Sequence, residues 1–164
     1  MKKSDHTHAF TLIELLIFMA LFSIIIFLLT DLFSATLQVK TESEATSAVQ
    51  EDGSYILSRL MYDIPRASAV SIPSSLGATG QSLQITIDGI NYSYGLSGGN
   101  LTITNNYGTN VLNSTETTVS SVSFKRLGNG NGKDTIQIQF TVTSTAIRNS
   151  GAESRSLQTT VGLR

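Results

Sequence analysis

The chain has 164 residues, of which 40% are apolar and only 14% are charged, and its formal net charge is −1. This length suits one hydrophobic core. The nearly equal numbers of acidic and basic residues leave no excess of positive charge of the kind that binds nucleic acid. Cysteine is absent, and the two histidines are His6 and His8. Thiol catalysis, a cysteine-based zinc site and a disulfide framework are therefore excluded, and histidine-based catalysis is excluded from the body of the chain.

A run of twenty residues, Phe10–Leu29, is apolar except for Glu14. As a helix it would be about 30 Å long, the thickness of the hydrocarbon core of a bilayer. Lys2 and Lys3 precede the run, and the next basic residue is Lys40. The positive-inside rule then predicts a single-pass protein of the cytoplasmic membrane, with its N-terminus in the cytoplasm and the remainder outside. A cleavable secretory signal fits poorly, because the run is too long.

Glu14 is the residue of this segment that most needs an explanation. A carboxylate at the centre of a membrane helix costs about 3 kcal/mol on insertion scales, and less near the interface. Such residues either extend to the headgroups or have a partner or a function. Both interpretations of Glu14 are open from the composition of the segment alone.

The sequence around Glu14 is HAFTLIELL, residues 8–16. It resembles the N-terminal cleavage and methylation signature of type IV prepilins and of type II secretion pseudopilins. The resemblance implies a leader of residues 1–9, a prepilin peptidase that cuts between Ala9 and Phe10, and methylation of the new amine of Phe10. It also implies assembly with other pilin or pseudopilin subunits through an assembly platform protein, in a pilus-like filament that serves adhesion, motility, DNA uptake or secretion.

The spacing within this signature has a physical reason. A carboxylate four residues after Phe10 lies one turn along the same helix face. In a filament of staggered subunits, Glu14 of an incoming chain can neutralise the Phe10 amine of its neighbour. Since an unpaired charge is costly in hydrocarbon, this pair would set the axial register.

Two positions depart from the pattern of major pilins. Ala9 replaces the usual glycine of the leader, and Asp31 stands where many major pilins have a helix-bending proline. The segments LSRLMYDI at 57–64 and LQTTV at 157–161 are similar to the minor pseudopilin J and to PilW-like minor pilins. These features favour a minor subunit.

Residues 31–68 are predicted to continue the helix in amphipathic form. Apolar residues recur mostly at three- and four-residue spacings, at Leu32, Leu37, Ala45, Ala48, Val49, Ile56, Leu60, Met61 and Ile64. The polar residues Glu42, Glu44, Gln50, Glu51 and Asp52 are expected on the solvent-exposed face. Pro65 is expected to end or kink the helix, because it lacks an amide hydrogen and crowds the preceding turn.

Residues 69–164 are predicted to form an antiparallel β-sheet domain, in which an apolar–polar alternation starts at Ser82. Strands are expected around residues 83–87, 90–96, 101–103, 119–124, 136–142 and 157–163. Turns are expected at Asp88-Gly89, at Gly98-Gly99 and at residues 129–132. The predicted fold is α+β: a long helix packed on an antiparallel β-meander, the architecture that pilins and pseudopilins share.

No motif in the sequence points to an enzyme, a metal site or a cofactor. Three triplets beginning at Asn91, Asn100 and Asn113 match the N-glycosylation pattern, which the Asn, Ser and Thr content of the chain explains. Residues 129–134 lack the carboxylates of a calcium loop and are interpreted as a hairpin loop.

Two other functions stay open. One is a binding or adhesion ectodomain on a permanent single-helix anchor, which predicts an intact leader and tolerance of replacements of Glu14. The other is an anchored hydrolase, which would need a cavity that holds a carboxylate with a perturbed pKa.

Overall fold

The computed structural model describes residues 11–128, 132–148 and 150–164. One long helix, α1, extends from Leu12 to Arg66, and antiparallel strands follow it. The chain divides between Lys40 and Thr41 into two compact units. The predicted α+β class, with a long N-terminal helix packed against antiparallel sheet, is confirmed.

The part of α1 that belongs to the second unit has one buried face. Its buried residues follow the helical period: Ala45, Ala48, Val49, Asp52, Gly53, Ile56, Leu60, Asp63 and Ile64. The helix ends at Arg66, one residue after Pro65. The predicted effect of the proline on the helix end is therefore confirmed.

Four positions on α1 differ from the prediction. Leu32, Leu37 and Met61 were expected in the core but are exposed. The first two precede the unit that begins at Thr41, and Met61 is displaced from Leu60 by about 100° around the helix axis. Asp52 was expected on the solvent-exposed face but is buried. It lies four residues after Ala48 and four before Ile56, on the same face as both.

The strands form two antiparallel sheets. One sheet has the order β1-β3-β4-β5-β6 and the other the order β2-β7-β8-β9. The bounds are β1 Ala69–Ile72, β2 Thr79–Gly80, β3 Leu83–Ile87, β4 Ile90–Ser97, β5 Asn100–Asn105, β6 Gly108–Val111, β7 Thr117–Leu127, β8 Thr135–Ser144 and β9 Ser154–Gly162.

The single meander expected from the sequence is therefore two sheets. The strands predicted from alternation are present, and three more, β1, β2 and β6, were not predicted. Two of these have four residues and one has two. Segments so short carry no readable period of two, and they are recognised by their pairing partners rather than by their own sequence.

The turns at Asp88-Gly89 and Gly98-Gly99 are confirmed. Ile87 pairs with Ile90 across a two-residue loop in which Asp88 has φ 50° and Gly89 has φ 78°. Two successive positive φ angles are the geometry of the hairpin turn that matches the twist of the strands. Of the turn predicted at residues 129–132, residues 129–131 lie outside the described residues.

The core lies between the buried face of α1 and the inner faces of both sheets. Its largest fully buried side chains include Tyr94, Phe124 and Phe140, one on each of three strands. Gly53 marks a close approach of β9, since a Cβ atom added there would lie 2.5 Å from Cδ1 of Leu157. The helix backbone and β9 therefore pack closely at this point.

Arg126 on β7 connects the two sheets. Its Nη1 donates hydrogen bonds to the carbonyl oxygens of Val70, Pro73 and Ser74, at 3.0, 3.1 and 3.2 Å. Its Nη2 donates to Asp134 at 2.7 Å. Because Val70 belongs to β1, this side chain holds the edge of the first sheet against a strand of the second.

Candidate assembly site and buried polar contacts

Glu14 lies in the first turn of α1, and Thr11 caps that turn. The amide nitrogen of Glu14 donates to Oγ1 of Thr11 at 3.3 Å, and the amide of Leu15 donates to the Thr11 carbonyl at 3.1 Å. Thr11 and Glu14 have the spacing of a capping box, and a carboxylate in a first turn interacts favourably with the helix dipole. The cap gives Thr11 a structural role that the sequence analysis missed, although the spacing of Thr11 and Glu14 was visible in the sequence.

The surroundings of Glu14 along the helix are exposed apolar side chains. Leu12, Ile13 and Leu15 are 77%, 67% and 55% exposed. Within the described residues, no side chain pairs with the Glu14 carboxylate. The other two predicted site residues, Ala9 and Phe10, lie outside the described residues, so the predicted cleavage point and amine stay predictions.

The segment after Glu14 is suited to a membrane. One helix in the described part of the chain, α1, is long and apolar enough to cross a bilayer, with a window of 18 residues that has mean hydropathy 3.0 and is 0% buried. The hydroxyls of Ser23 and Thr30 donate to the carbonyls four residues earlier, both at 2.8 Å. Polar groups satisfied inside the helix in this way lower the cost of placing them in lipid. These observations are consistent with membrane anchoring.

A buried carboxylate at Asp63 links α1 to β4. Arg59, one turn earlier on the helix, forms an ion pair with it through Nε, at 2.7 Å from Oδ2. The hydroxyl of Tyr94 on β4 donates a short hydrogen bond to the same oxygen. Burial, with the hydrogen bond to Asp63, raises the pKa of the Tyr94 hydroxyl well above its ordinary value of 10.0.

A second buried carboxylate, at Asp52, holds the segment between β6 and β7. Its Oδ2 accepts hydrogen bonds from the amide and the hydroxyl of Ser114, at 2.9 and 2.8 Å, and from the hydroxyl of Thr117, at 2.5 Å. The side-chain amide of Asn113 donates to Oδ1 of Asn100 and to the carbonyls of Ser114 and Thr117. Because Asn113 is buried and its amide is used by the fold, its glycosylation triplet is not an accessible acceptor.

Both buried carboxylates accept hydrogen bonds from groups of the fold, and neither is part of the lining of an open cleft in the second unit. That cleft, about 430 Å³ in volume, is lined by Glu44, Glu51 and Glu116 with serine, alanine and threonine side chains. Neither Asp52 nor Asp63 lines it. Among the described residues, no group of three or more His, Cys, Asp or Glu side chains is arranged to hold a metal ion.

Residues 5–30 match the family model described as the prokaryotic N-terminal methylation motif. A match over these residues supports a type IV pilin-like protein. No curated protein and no solved structure gives a significant match to it. The family resemblance that HAFTLIELL suggested is confirmed, whereas the minor-subunit subtype stays a prediction.

The matched segment and the contacts that hold the β domain to the helix are different sets of residues. The match includes Ala9, Phe10 and Glu14 and ends at residue 30. Asp52 and Asp63 follow it on the same helix and contact strands and loops that the match does not cover. The N-terminal motif points to a structural protein, and the buried carboxylates have structural partners.

Proposed function

We propose that this protein is a structural subunit, minor rather than major, of a type IV pilus-like filament. A prepilin peptidase cuts between Ala9 and Phe10 and methylates the amine of Phe10. The subunit first resides in the cytoplasmic membrane with its N-terminus in the cytoplasm, and after assembly it is part of a filament outside the cell. Its partners are other pilin or pseudopilin subunits, the peptidase and the assembly platform protein.

The observation that carries this proposal is the methylation motif at residues 5–30, which includes the apolar first part of α1. The apolar side chains from Leu12 to Leu29 are exposed. A surface of this kind can be covered by lipid before assembly and by the equivalent helices of other subunits afterwards, and both environments remove it from water.

Glu14 supplies the selectivity of this assembly. Cleavage creates a positive charge at Phe10, and the carboxylate of a neighbouring subunit neutralises it in an environment of low dielectric constant. A subunit added out of register would leave both charges unpaired in hydrocarbon, at a cost of several kcal/mol per group. The pair therefore favours one axial position over the others.

The assignment as a minor subunit is supported by the part of α1 that follows the apolar run. Asp31 occupies the position at which many major pilins have a proline, and α1 is helical on both sides of it. The same pattern of backbone hydrogen bonds continues from the apolar run into residues 31–40, with no proline to bend it.

Processing can be tested directly. We expect the membrane-extracted protein to lose nine residues and to begin with methylated Phe10 when it is produced with a prepilin peptidase. The measurement is intact mass with N-terminal sequencing, and the control is the same chain produced without the peptidase. An intact Met1 terminus, in cells whose peptidase cuts a control prepilin, would identify a permanent anchor and favour the ectodomain that does not polymerise.

The role of Glu14 in assembly can be separated from its role in the helix cap. We expect Glu14→Val and Glu14→Gln to insert and be processed but to be lost from sheared filaments, because the carboxylate is gone. Thr11→Val removes the capping hydroxyl and keeps the carboxylate, so this variant should still be incorporated. If Thr11→Val and Glu14→Gln fail alike, the cap rather than the charge pair explains the requirement.

A further inference from the structure

Two strands of the β domain have an outer edge that pairs with nothing in the described residues. β9 pairs with β8 alone, and β6 pairs with β5 alone. All four residues of β6 are exposed, and β9 alternates between exposed and half-buried residues from Ser156 to Gly162. A row of unpaired amide and carbonyl groups is a template for a further strand.

Proline, lysine and bulges, three of the usual protections of an edge strand, are missing from both. Neither β6 nor β9 contains proline or lysine, and no register shift interrupts their pairing. Arg155 is the only charged residue in the two strands together. The remaining edge strands differ, since β2 has two residues and β1 contains a register shift and is contacted by Arg126.

Contacts with α1 give the direction of each open strand. Arg66 pairs with Asp88 just before β4, and Asp63 binds Tyr94 within β4, so β4 runs antiparallel to the helix. Because β5 and β6 alternate in direction after it, β6 also runs antiparallel to α1.

β9 runs the other way. Leu157, near its start, packs at Gly53, and the amide of Arg164, just after its end, donates to the carbonyl of Pro65 at 3.2 Å. β9 is therefore parallel to α1, and the two open edges have opposite directions relative to the same helix.

We infer that β6 of one copy of this chain pairs antiparallel with β9 of the next, and so joins their β domains edge to edge. In a polar filament every copy repeats one orientation, so residues 41–66 of neighbouring copies run in the same sense. In that arrangement β6 and β9 of neighbours meet as antiparallel partners. A two-fold pairing of β9 with β9 would instead require the two helices to run in opposite senses.

The contact uses different surfaces on its two sides, so it repeats from copy to copy, and in a filament, where the rotation does not close, it builds an open chain of subunits. Backbone hydrogen bonds supply most of its attraction, and the side chains of the two strands, apart from Arg155, are uncharged. The half-buried Leu157 and Val161 on the inner face of β9 would be covered further by the added strand. This inference rests on the proposed filament, which holds the two edges at a high effective concentration.

Disulfide cross-linking tests the pairing without background, because the chain contains no cysteine. Thr109→Cys on β6 is combined in one full-length chain with Ser156→Cys, Gln158→Cys or Thr160→Cys on β9, and filaments and membranes are oxidised. All four positions are exposed. We expect at least one combination to give a ladder of dimers, trimers and larger species, and each single-cysteine chain to stay monomeric.

The matched control is Gln139→Cys combined with Thr109→Cys. Gln139 is exposed and pairs with Gln158, but it lies on β8, whose backbone is paired on both sides. A cysteine one strand further in is about 5 Å more distant from the proposed partner, beyond the reach of a disulfide. The ladder should therefore be lost in this control, and also with Leu157→Cys or Thr159→Cys, which belong to the opposite face of β9.

Each outcome decides one of the two proposals. Filaments without a ladder in any of the three combinations overturn the edge pairing and leave the filament function intact. Dimers of Gln158→Cys alone, at the yield of the double variant, show a two-fold contact and also overturn it. If processed chains form no filaments but give a ladder in membranes, the edge pairing is supported and the filament function is overturned. If they give neither filaments nor a ladder, both proposals are overturned.

Discussion

At the scale of single residues, Asp52 and Asp63 join the helix to the β domain through buried hydrogen bonds. Each is a carboxylate buried on α1, and each accepts hydrogen bonds from residues distant in sequence. A buried donor that loses its acceptor keeps its desolvation cost without compensation. Truncation of either carboxylate should therefore lower the free energy of unfolding by more than the loss of its own packing contacts alone.

Asp52→Ala should lower the free energy of unfolding of the second unit by about 3 kcal/mol, because it leaves three donors of Ser114 and Thr117 without their acceptor. Glu51→Ala, one residue earlier and exposed, should change it by less than about 0.5 kcal/mol. Denaturant titration of the full chain in detergent, followed by circular dichroism, measures both. Equal losses in the two variants would contradict the role given to Asp52.

The raised pKa of Tyr94 predicts that the folded protein loses stability at alkaline pH. Its pKa is raised in the folded state, first by burial and then by the hydrogen bond to Asp63. Above pH about 10 the unfolded state releases this proton and the folded state keeps it, so the free energy of unfolding falls as pH rises. In Tyr94→Phe that contribution is absent.

The measurement is the difference in unfolding free energy between the native chain and Tyr94→Phe, at pH 8 and at pH 11. We expect the native chain to be more stable than the variant at pH 8, and this advantage to shrink by about 1 kcal/mol for each pH unit above 10. Other groups that titrate in alkali are common to both chains and cancel. An advantage that does not change with pH would contradict the raised pKa.

At the scale of elements, α1 shows what periodicity can and cannot predict. The spacing of Ala45, Val49, Ile56 and Ile64 identified the buried face, because packing against the sheets selects apolar residues every three or four positions. The same spacing placed Leu32 in the core, since periodicity does not distinguish a face that meets a sheet from one that meets other surroundings. The prediction for Asp52 was wrong for the opposite reason. It was assigned to the solvent-exposed face because it is charged, although its spacing places it on the buried face.

The difference between the two parts of α1 should appear in hydrogen exchange. Residues 49–64 are held by buried side chains, whereas Leu32, Phe33 and Val39 are exposed. Local opening is easier where fewer buried contacts must be broken. We expect amides of residues 32–39 to exchange faster than those of residues 49–64 when the full chain is measured by mass spectrometry in detergent micelles. Equal protection would mean that residues 32–39 have additional contacts.

At the scale of the whole molecule, the sequence predicted the fold class and the N-terminal motif but not the division into two sheets. A membrane segment and a processing signature are local patterns, which can be read without knowing what they contact. Which strand pairs with which is set by contacts between distant residues, such as the hydrogen bonds from Arg126 to Val70 and Pro73. Nothing in the immediate sequence of Arg126 indicates these partners, so neither the second sheet nor its joint with the first was predictable.

The alignment of α1 with β4 and β9 has a mechanical consequence. A pull applied to the helix along its axis would load the contacts of Asp52 with Ser114, of Gly53 with Leu157 and of Asp63 with Tyr94 at the same time, in shear. Bonds loaded in shear share the tension and break together, whereas bonds peeled one at a time break in sequence. The β domain is thus attached to its helix in the geometry that best resists being stripped from it under load.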